Sequence, residues 1–304
     1  MSEPSFSEAE LAKYFKSTTA VYHTKSYPFI SPNRPGLSTR GKTAIITGAG
    51  KGGIGNSIAL SLAKSGISAL GLVGRTEATL LATKEVVEKI SQDTRVFLYT
   101  VDLVDADGIA SALQSFVDST GSKIDILGAN AGYMSDLNTV IGSDADDWWR
   151  GFEVNIRGNF NLLRAWVPHA QPGGVVVHTS TSAIHGPYMP NFSSYRGSKA
   201  GATKVFEIFR HEMAELGNGV RVVQFHPGLI RSTMSFKFAP STAGFPWDDV
   251  ELSGDFFNWL VSDEAKFLNG KLVMANWDAE EMLQKKDEIA GDADMYTMNL
   301  VGWV

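Results

Sequence analysis

Two side chains four positions apart, Tyr195 and Lys199, combine the residue types needed to move a proton. They lead into an apolar-periodic segment (Ala202, Val205, Phe206, Phe209), so on a helix they share one face. A free phenol has a pKa of about 10 and donates poorly to a carbonyl at neutral pH. An ammonium group one turn away favours the phenolate and lowers that pKa, which makes Tyr-x-x-x-Lys a workable acid/base pair. The same spacing also arises by chance on many helices, so the pair needs support from the rest of the chain.

A second constellation lies upstream. Thr43 to Thr47 reads as a short apolar strand, and a glycine loop with Gly48, Gly50, Gly52, Gly53 and Gly55 follows it at once. Ile58, Leu60, Leu62 and Ala63 then continue in a helical pattern. Strand, glycine loop and helix form a dinucleotide-binding fingerprint: glycines allow the turn and let backbone approach a pyrophosphate at the helix N-terminus. The alternative is a plain glycine-rich turn between strand and helix. Ala69 to Gly74 reads as a second strand, and Arg75-Thr76 ends it. An acidic residue there would bind ribose hydroxyls; a guanidinium suits a 2′-phosphate, which points to NADP(H) ahead of NAD(H).

The elements that must hold these residues repeat along the chain. A helix is expected over 77–91, a strand over 95–101, a helix over 106–119 and a strand over 124–127, with further strands at Val175–Val177 and Val222–Phe225. Strands alternating with helices of this length imply an α/β fold, a Rossmann-type doubly wound parallel sheet of about seven strands with helices on both faces. Residues 1–40 stand apart as an N-terminal extension: a capping box at Ser7–Glu10, a small apolar face (Leu11, Tyr14, Phe15) and a proline-punctuated arm. The arm either packs on the domain or contributes to an oligomer contact.

Bulk properties narrow the classes. The 304 residues carry a net charge of −6 and no cysteine. The acidic balance argues against nucleic acid and against a basic membrane-binding face, and the missing thiols exclude disulfides and thiolate catalysis. The acidic N-terminus does not resemble a secretory signal, and no apolar run is long enough to span a bilayer, so a cytoplasmic protein is expected.

Further short motifs complete the set: Asn130-Ala131-Gly132 after the fourth strand, Asn155, Ser180 and Ser182, then Pro227-Gly228-Leu229-Ile230 through Thr233. In this order, over about residues 40 to 275, the chain resembles the short-chain dehydrogenase/reductase family, and its C-terminal stretch resembles members from filamentous fungi. The resemblance implies that Tyr195 is the general acid/base, that Lys199 lowers its pKa and holds the nicotinamide ribose, and that Ser182 bonds the substrate oxygen. It implies that Asn155 positions a water serving proton supply. Asp102 and Leu103 would face the adenine, and Asn130, Ala131 and Gly132 would pack beneath the cofactor. Pro227, Gly228, Leu229, Ile230 and Thr233 would line the nicotinamide. The glycine loop departs from the family pattern by one extra residue within Ala49–Gly52, and Ser180 stands close enough to share or take the serine role.

The implied activity is NADP(H)-dependent reduction of a ketone or aldehyde, or oxidation of the alcohol, on a medium to large apolar small molecule, in a secondary-metabolism setting. NAD-dependent dehydrogenation and a net-neutral step such as dehydration, epimerisation or cyclisation remain alternatives. The stretch 232–260, with Phe236, Phe238, Phe245, Trp247, Phe256, Phe257 and Trp259, reads either as an aromatic lid or as packing of inserted helices. Met134, Tyr188, Met189 and Phe192 are expected to line the same pocket. His178, His185 and His226 lack metal-ligand spacing and read as wall residues. The resemblance further implies a homodimer or homotetramer built on the helices near Ala165 and over 202–216, with a C-terminal tail at 278–304.

Overall fold

The computed structural model describes residues 16–238 and 246–300. The capping box at Ser7–Glu10, the face formed by Leu11, Tyr14 and Phe15, and Phe245 lie outside the described residues. Seven parallel strands form one sheet: β1 (Thr43–Thr47), β2 (Ala69–Gly74), β3 (Arg95–Thr100), β4 (Ile124–Ala129), β5 (Ala170–Thr179), β6 (Arg221–His226) and β7 (Leu272–Met274). Their spatial order is β3-β2-β1-β4-β5-β6-β7. The order reverses between β1 and β4, and that reversal opens a crevice at the carboxyl ends of the strands.

The strands are apolar because both faces are covered. All five residues of β1 are buried, as an interior parallel strand requires. One face carries α1 (Ile54–Lys64), α2 (Glu77–Ile90) and α7 (Val250–Leu260), whose Leu62, Leu80 and Phe256 enter one core cluster. The other carries α3 (Ala106–Thr120), α5 (Asn159–Trp166) and α6 (Ser193–Glu215), with Phe116, Trp166 and Phe206 at its centre. Short α4 (Ala145–Phe152) runs into a π-helical segment, Glu153–Gly158, before α5. Two further short helices, α8 (Ala279–Gln284) and α9 (Lys286–Gly291), follow β7.

Local chemistry explains the boundaries. Asp105 caps α3 by accepting from Gly108 N, and Gly121 ends it in the left-handed region at φ +68°. Asp144, Asp249 and Asp278 cap α4, α7 and α8 in the same way. Helix α1 has neither a capping side chain nor an acidic residue in its first turn, so its leading N–H groups remain for an anion.

The stretch 16–38 packs against the body of the chain. Ile30 and Leu37 are buried in the same cluster as β1 and α7, and Arg34 pairs with Glu264 at 2.8 Å. No helix among the described residues is long and apolar enough to cross a membrane.

Helices α1 and α7 meet at Gly254, where a Cβ would stand 2.4 Å from the Ser57 carbonyl oxygen. Gly254→Val should therefore lower unfolding free energy by roughly 2 kcal/mol or more, since backbone must move to admit the side chain. Gly291→Ala, in α9 with open space around its Cβ, should be neutral or stabilising by up to about 1 kcal/mol. Denaturant unfolding of the two variants checks the pair; equal effects would mean that the helix contact is not tight.

Candidate active site

Six of the seven strand ends deliver one part of the site each. Gly48 follows β1, Arg75 β2, Asp102 β3, Asn130 β4, Ser182 β5 and Pro227 β6. They surround two adjoining concavities. The first is lined by Gly48, Arg75, Asp102, Leu103, Ala131 and Gly132 among others. The second, of about 150 Å³, is lined by Ser182, Tyr195, His226, Pro227 to Ile230 and an apolar wall of Ile54, Met134, Met189, Phe192 and Phe238.

The glycine loop is a cradle that side chains would fill. Gly48 has φ +64°, and its Cβ would stand 2.9 Å from Ala131 Cα. A Cβ on Gly55 would stand 2.4 Å from the Gly48 oxygen, and one on Gly50 2.7 Å from Thr79 Oγ1. The extra loop residue is absorbed on the outside: Gly52 takes φ +86° with open space around it, and Lys51 N donates to Thr79 O at 3.0 Å. Gly53 is the N-cap of α1. A pyrophosphate fits this arrangement: close backbone, an uncapped helix start, and no carboxylate in the loop or the first turn of α1.

Asn130 ties the sheet together beneath the cleft. Its Nδ2 donates to Thr47 O at 3.0 Å, and its Oδ1 accepts from Thr179 Oγ1 at 3.1 Å. Asp102 pairs with Arg150 at 2.6 Å, which offsets its charge beside Arg75. Arg75 is exposed and makes no hydrogen bond or ion pair among the described residues. Thr76 is likewise exposed at the start of α2.

Tyr195 and Lys199 stand one turn apart on α6, as their spacing requires. Lys199 is 4% exposed, and its Nζ donates to Thr179 O at 2.6 Å. Gly132 lies beside it: a Cβ there would be in ordinary contact with Lys199 Nζ at 3.7 Å and tight against Asn155 Oδ1 at 3.3 Å. Asn155, fully buried in the π-helical segment, accepts from Tyr133 N at 2.8 Å and donates to Ser198 Oγ at 2.8 Å. One amide thus joins the loop after β4 to α6.

Both candidate serines line the cavity: Ser180 is buried and bonds Thr203 at 2.7 Å, and Ser182 has its Oγ 3.4 Å from His226 Nε2. Burial lowers the His226 imidazole to about 4, so it is neutral at physiological pH. His178 is a core histidine, stacked on Phe206 at 4.1 Å and bonded to Gln224 at 2.9 Å, and burial holds its pKa far down.

Some expectations change. The phenol is not lowered in the chain by itself: burial pushes Tyr195 up to about 12, against a hydrogen bond with Thr181 that pulls it down. Burial also lowers the Lys199 amine to about 8, which weakens the ammonium that was to act on it. The aromatic lid shrinks: Phe256, Phe257 and Trp259 are fully buried in α7 and belong to the core. Phe238 faces the cavity and neighbours Phe192 at 6.0 Å and Trp247 at 6.3 Å, while Phe236 is 40% exposed. Tyr188 is 84% exposed and Thr233 is exposed, and neither lines the cavity. Sequence reasoning missed Lys237, which latches this segment by donating to Met134 O at 2.9 Å and pairing with Asp136 at 2.8 Å.

The fold and site define a nicotinamide-dinucleotide oxidoreductase of Rossmann type, and comparison with known proteins agrees. Residues 42–242 match the profile of the short chain dehydrogenase family. A short chain dehydrogenase/reductase of Claviceps purpurea is 34% identical over 285 residues, 93% of this chain and 94% of that protein. A second, AacuD of Aspergillus aculeatus, is 28% identical over 94% of this chain and 98% of its own length. Carveol dehydrogenase from Mycobacterium avium, solved in complex with NAD, superposes with a TM-score of 0.69 at 26% identity, covering 77% of this chain and 96% of the other. The chain belongs to the short-chain dehydrogenase/reductase family, and its relatives include proteins of filamentous fungi.

The Lys199 burial carries a pH signature. Its folded value near 8 lies below the ordinary 10.5, so between these values the unfolded chain binds the extra proton and stability rises with pH. Below pH 8 the folded chain must hold a poorly solvated ammonium. Lys199→Met should therefore be more stable than wild type at pH 7, by roughly 1–3 kcal/mol, with the gain shrinking towards pH 10. Denaturant unfolding at the two pH values reads the difference; a gain independent of pH would contradict the assignment.

Proposed function

We propose that this protein is an NADP(H)-dependent carbonyl reductase acting on a medium to large apolar small molecule that presents its carbonyl on a ring-sized end. The observation that carries the reading is the meeting of Tyr195, Ser182 and an apolar wall in one cavity, beside a cleft whose glycines leave room for a dinucleotide. A cavity of about 150 Å³ holds roughly one aromatic ring.

Gly48, Gly50, Gly53, Ile54 and Gly55 would hold the pyrophosphate, Asp102 and Leu103 the adenine, and Lys199 the nicotinamide ribose. Ala131 and Gly132, with Asn130 beneath them, would floor the cleft, and Pro227, Gly228 and Ile230, which line the second cavity, would wall the nicotinamide. The dinucleotide supplies hydride when bound. The chain supplies the rest. Ser182 donates to the substrate oxygen and stabilises charge developing there. Tyr195 gives that oxygen its proton, being protonated at neutral pH in the resting site. Lys199, near 8, exchanges a proton readily, and Asn155 holds the loop and helix that flank it.

The preference for NADP(H) over NAD(H) rests on Arg75. It lines the cleft without an internal partner, and no carboxylate stands at the end of β2 to repel a 2′-phosphate. A homodimer or homotetramer is part of the same reading, with Trp149, Phe160 and Ile208, exposed apolar side chains on α4, α5 and α6, as groups that a second copy would cover.

Tyr195→Phe should reduce turnover of a carbonyl panel by at least about a hundredfold while leaving NADPH affinity unchanged, measured by NADPH consumption and by a binding titration. Retained turnover would refute the acid role, and substrate conversion without NADPH consumption would redirect the reading to a net-neutral step. Arg75→Asp should reverse the ratio of kcat/KM for NADPH over NADH; an unchanged ratio would place the guanidinium away from the phosphate.

A further inference from the structure

The N-terminal arm and the wall of the cavity meet at one carboxylate. His23 N donates to Asn276 O at 2.7 Å, and Asn276 Nδ2 returns a bond to His23 O at 2.9 Å. The same amide group donates to Asp248 Oδ2 at 3.0 Å, and that oxygen also accepts from Leu229 N at 2.6 Å. The backbone repeats the link: Asp248 N donates to Leu229 O at 3.0 Å, and Asp249 N to Thr24 O at 2.8 Å. Gly228, beside them, has φ +93°, and a Cβ there would stand 2.8 Å from Asp248 Oδ2. Gly228, Leu229 and Ile230 in turn line the cavity that holds Tyr195 and Ser182.

We propose that Asp248 is a positioning residue through which the N-terminal arm fixes the Gly228–Leu229–Ile230 wall, and so sets dinucleotide and substrate binding. This rests on reading that cavity as the reacting end of a dinucleotide site. Three facts favour it over plain packing. Asp248 and Asn276 are 7% and 1% exposed, places where a polar side chain is costly unless its bonds are needed. Asn276 keeps its place although its Oδ1 is buried without a partner, so the two bonds from its Nδ2 are what it contributes. A carboxylate accepting two N–H groups is a stronger clamp than a neutral acceptor.

The test uses the full chain with Asp248→Ala, Asp248→Asn and Asn276→Leu. Affinities for NADPH and NADH are read by quenching of tryptophan fluorescence, and hydrogen exchange is followed in the peptide carrying Leu229. Asp248→Ala should weaken dinucleotide binding about tenfold and speed exchange of that peptide. Asp248→Asn, whose amide oxygen can still accept both bonds, should restore most of the affinity and slow the exchange of that peptide again; no recovery of either would overturn the proposal. Asn276→Leu should speed the same exchange even though it removes an unpaired buried oxygen. Unchanged exchange in Asn276→Leu, or dinucleotide affinity within roughly twofold of wild type in Asp248→Ala, would overturn the proposal. If Asp248→Ala fails to fold, the other two variants decide by the same readings. Neither measurement needs turnover, so a wild type that binds dinucleotide but reduces no carbonyl would sink the reductase reading alone; one that binds neither dinucleotide would sink both.

Discussion

An amine held inside the protein is the constraint around which this site is arranged. Lys199 is 4% exposed, and its Nζ spends one hydrogen bond on the Thr179 carbonyl at 2.6 Å. An ammonium in such a place is costly unless its donors are met, so everything near it is fixed in consequence. A Cβ on Gly132 would sit 3.3 Å from Asn155 Oδ1, a tight approach, and in ordinary contact with the amine. Asn155 sits in a π-helical segment, and its amide spans Tyr133 and Ser198. The loop after β4, that segment and α6 therefore form one network, in which moving any member leaves a buried group unpaired. Lowering of the amine and raising of the phenol are two results of the same desolvation.

The sheet decides where this network stands. Because the strand order reverses between β1 and β4, the loops that follow the strands diverge and leave a crevice at their carboxyl ends. Phosphate-sized room is kept by glycines on one side of it, and an apolar cavity by methionines and phenylalanines on the other. The chain closes that cavity with contacts distant in sequence: Lys237 reaches the loop after β4, and Asp248 joins the wall to the arm through Asn276.

The parts legible in the sequence are those that depend on neighbours along the chain. Thr43–Thr47 and Ala69–Gly74 form strands because short apolar runs between breakers fit a buried parallel sheet, and Tyr195 and Lys199 share a helix face because four residues make about one turn. Gly48 and Gly52 mark turns that other residues rarely adopt. What the sequence left open depends on partners far along the chain. Phe256, Phe257 and Trp259 have the same composition whether they cap a pocket or fill a core, and only the packing of α7 on α1 and the sheet made them core. Ser180 and Ser182 look alike in sequence, and only the fold bonds the first to Thr203 and sets the second beside His226, with both at the cavity. The sign of the Tyr195 shift was also decided by the tertiary structure, because desolvation counts every surrounding atom while spacing counts only one neighbour. Sequence determined the elements and the reactive groups, since local sterics and periodicity act within a few residues; burial, which sets how those groups ionise and which of them face the cavity, exists only once the chain has folded.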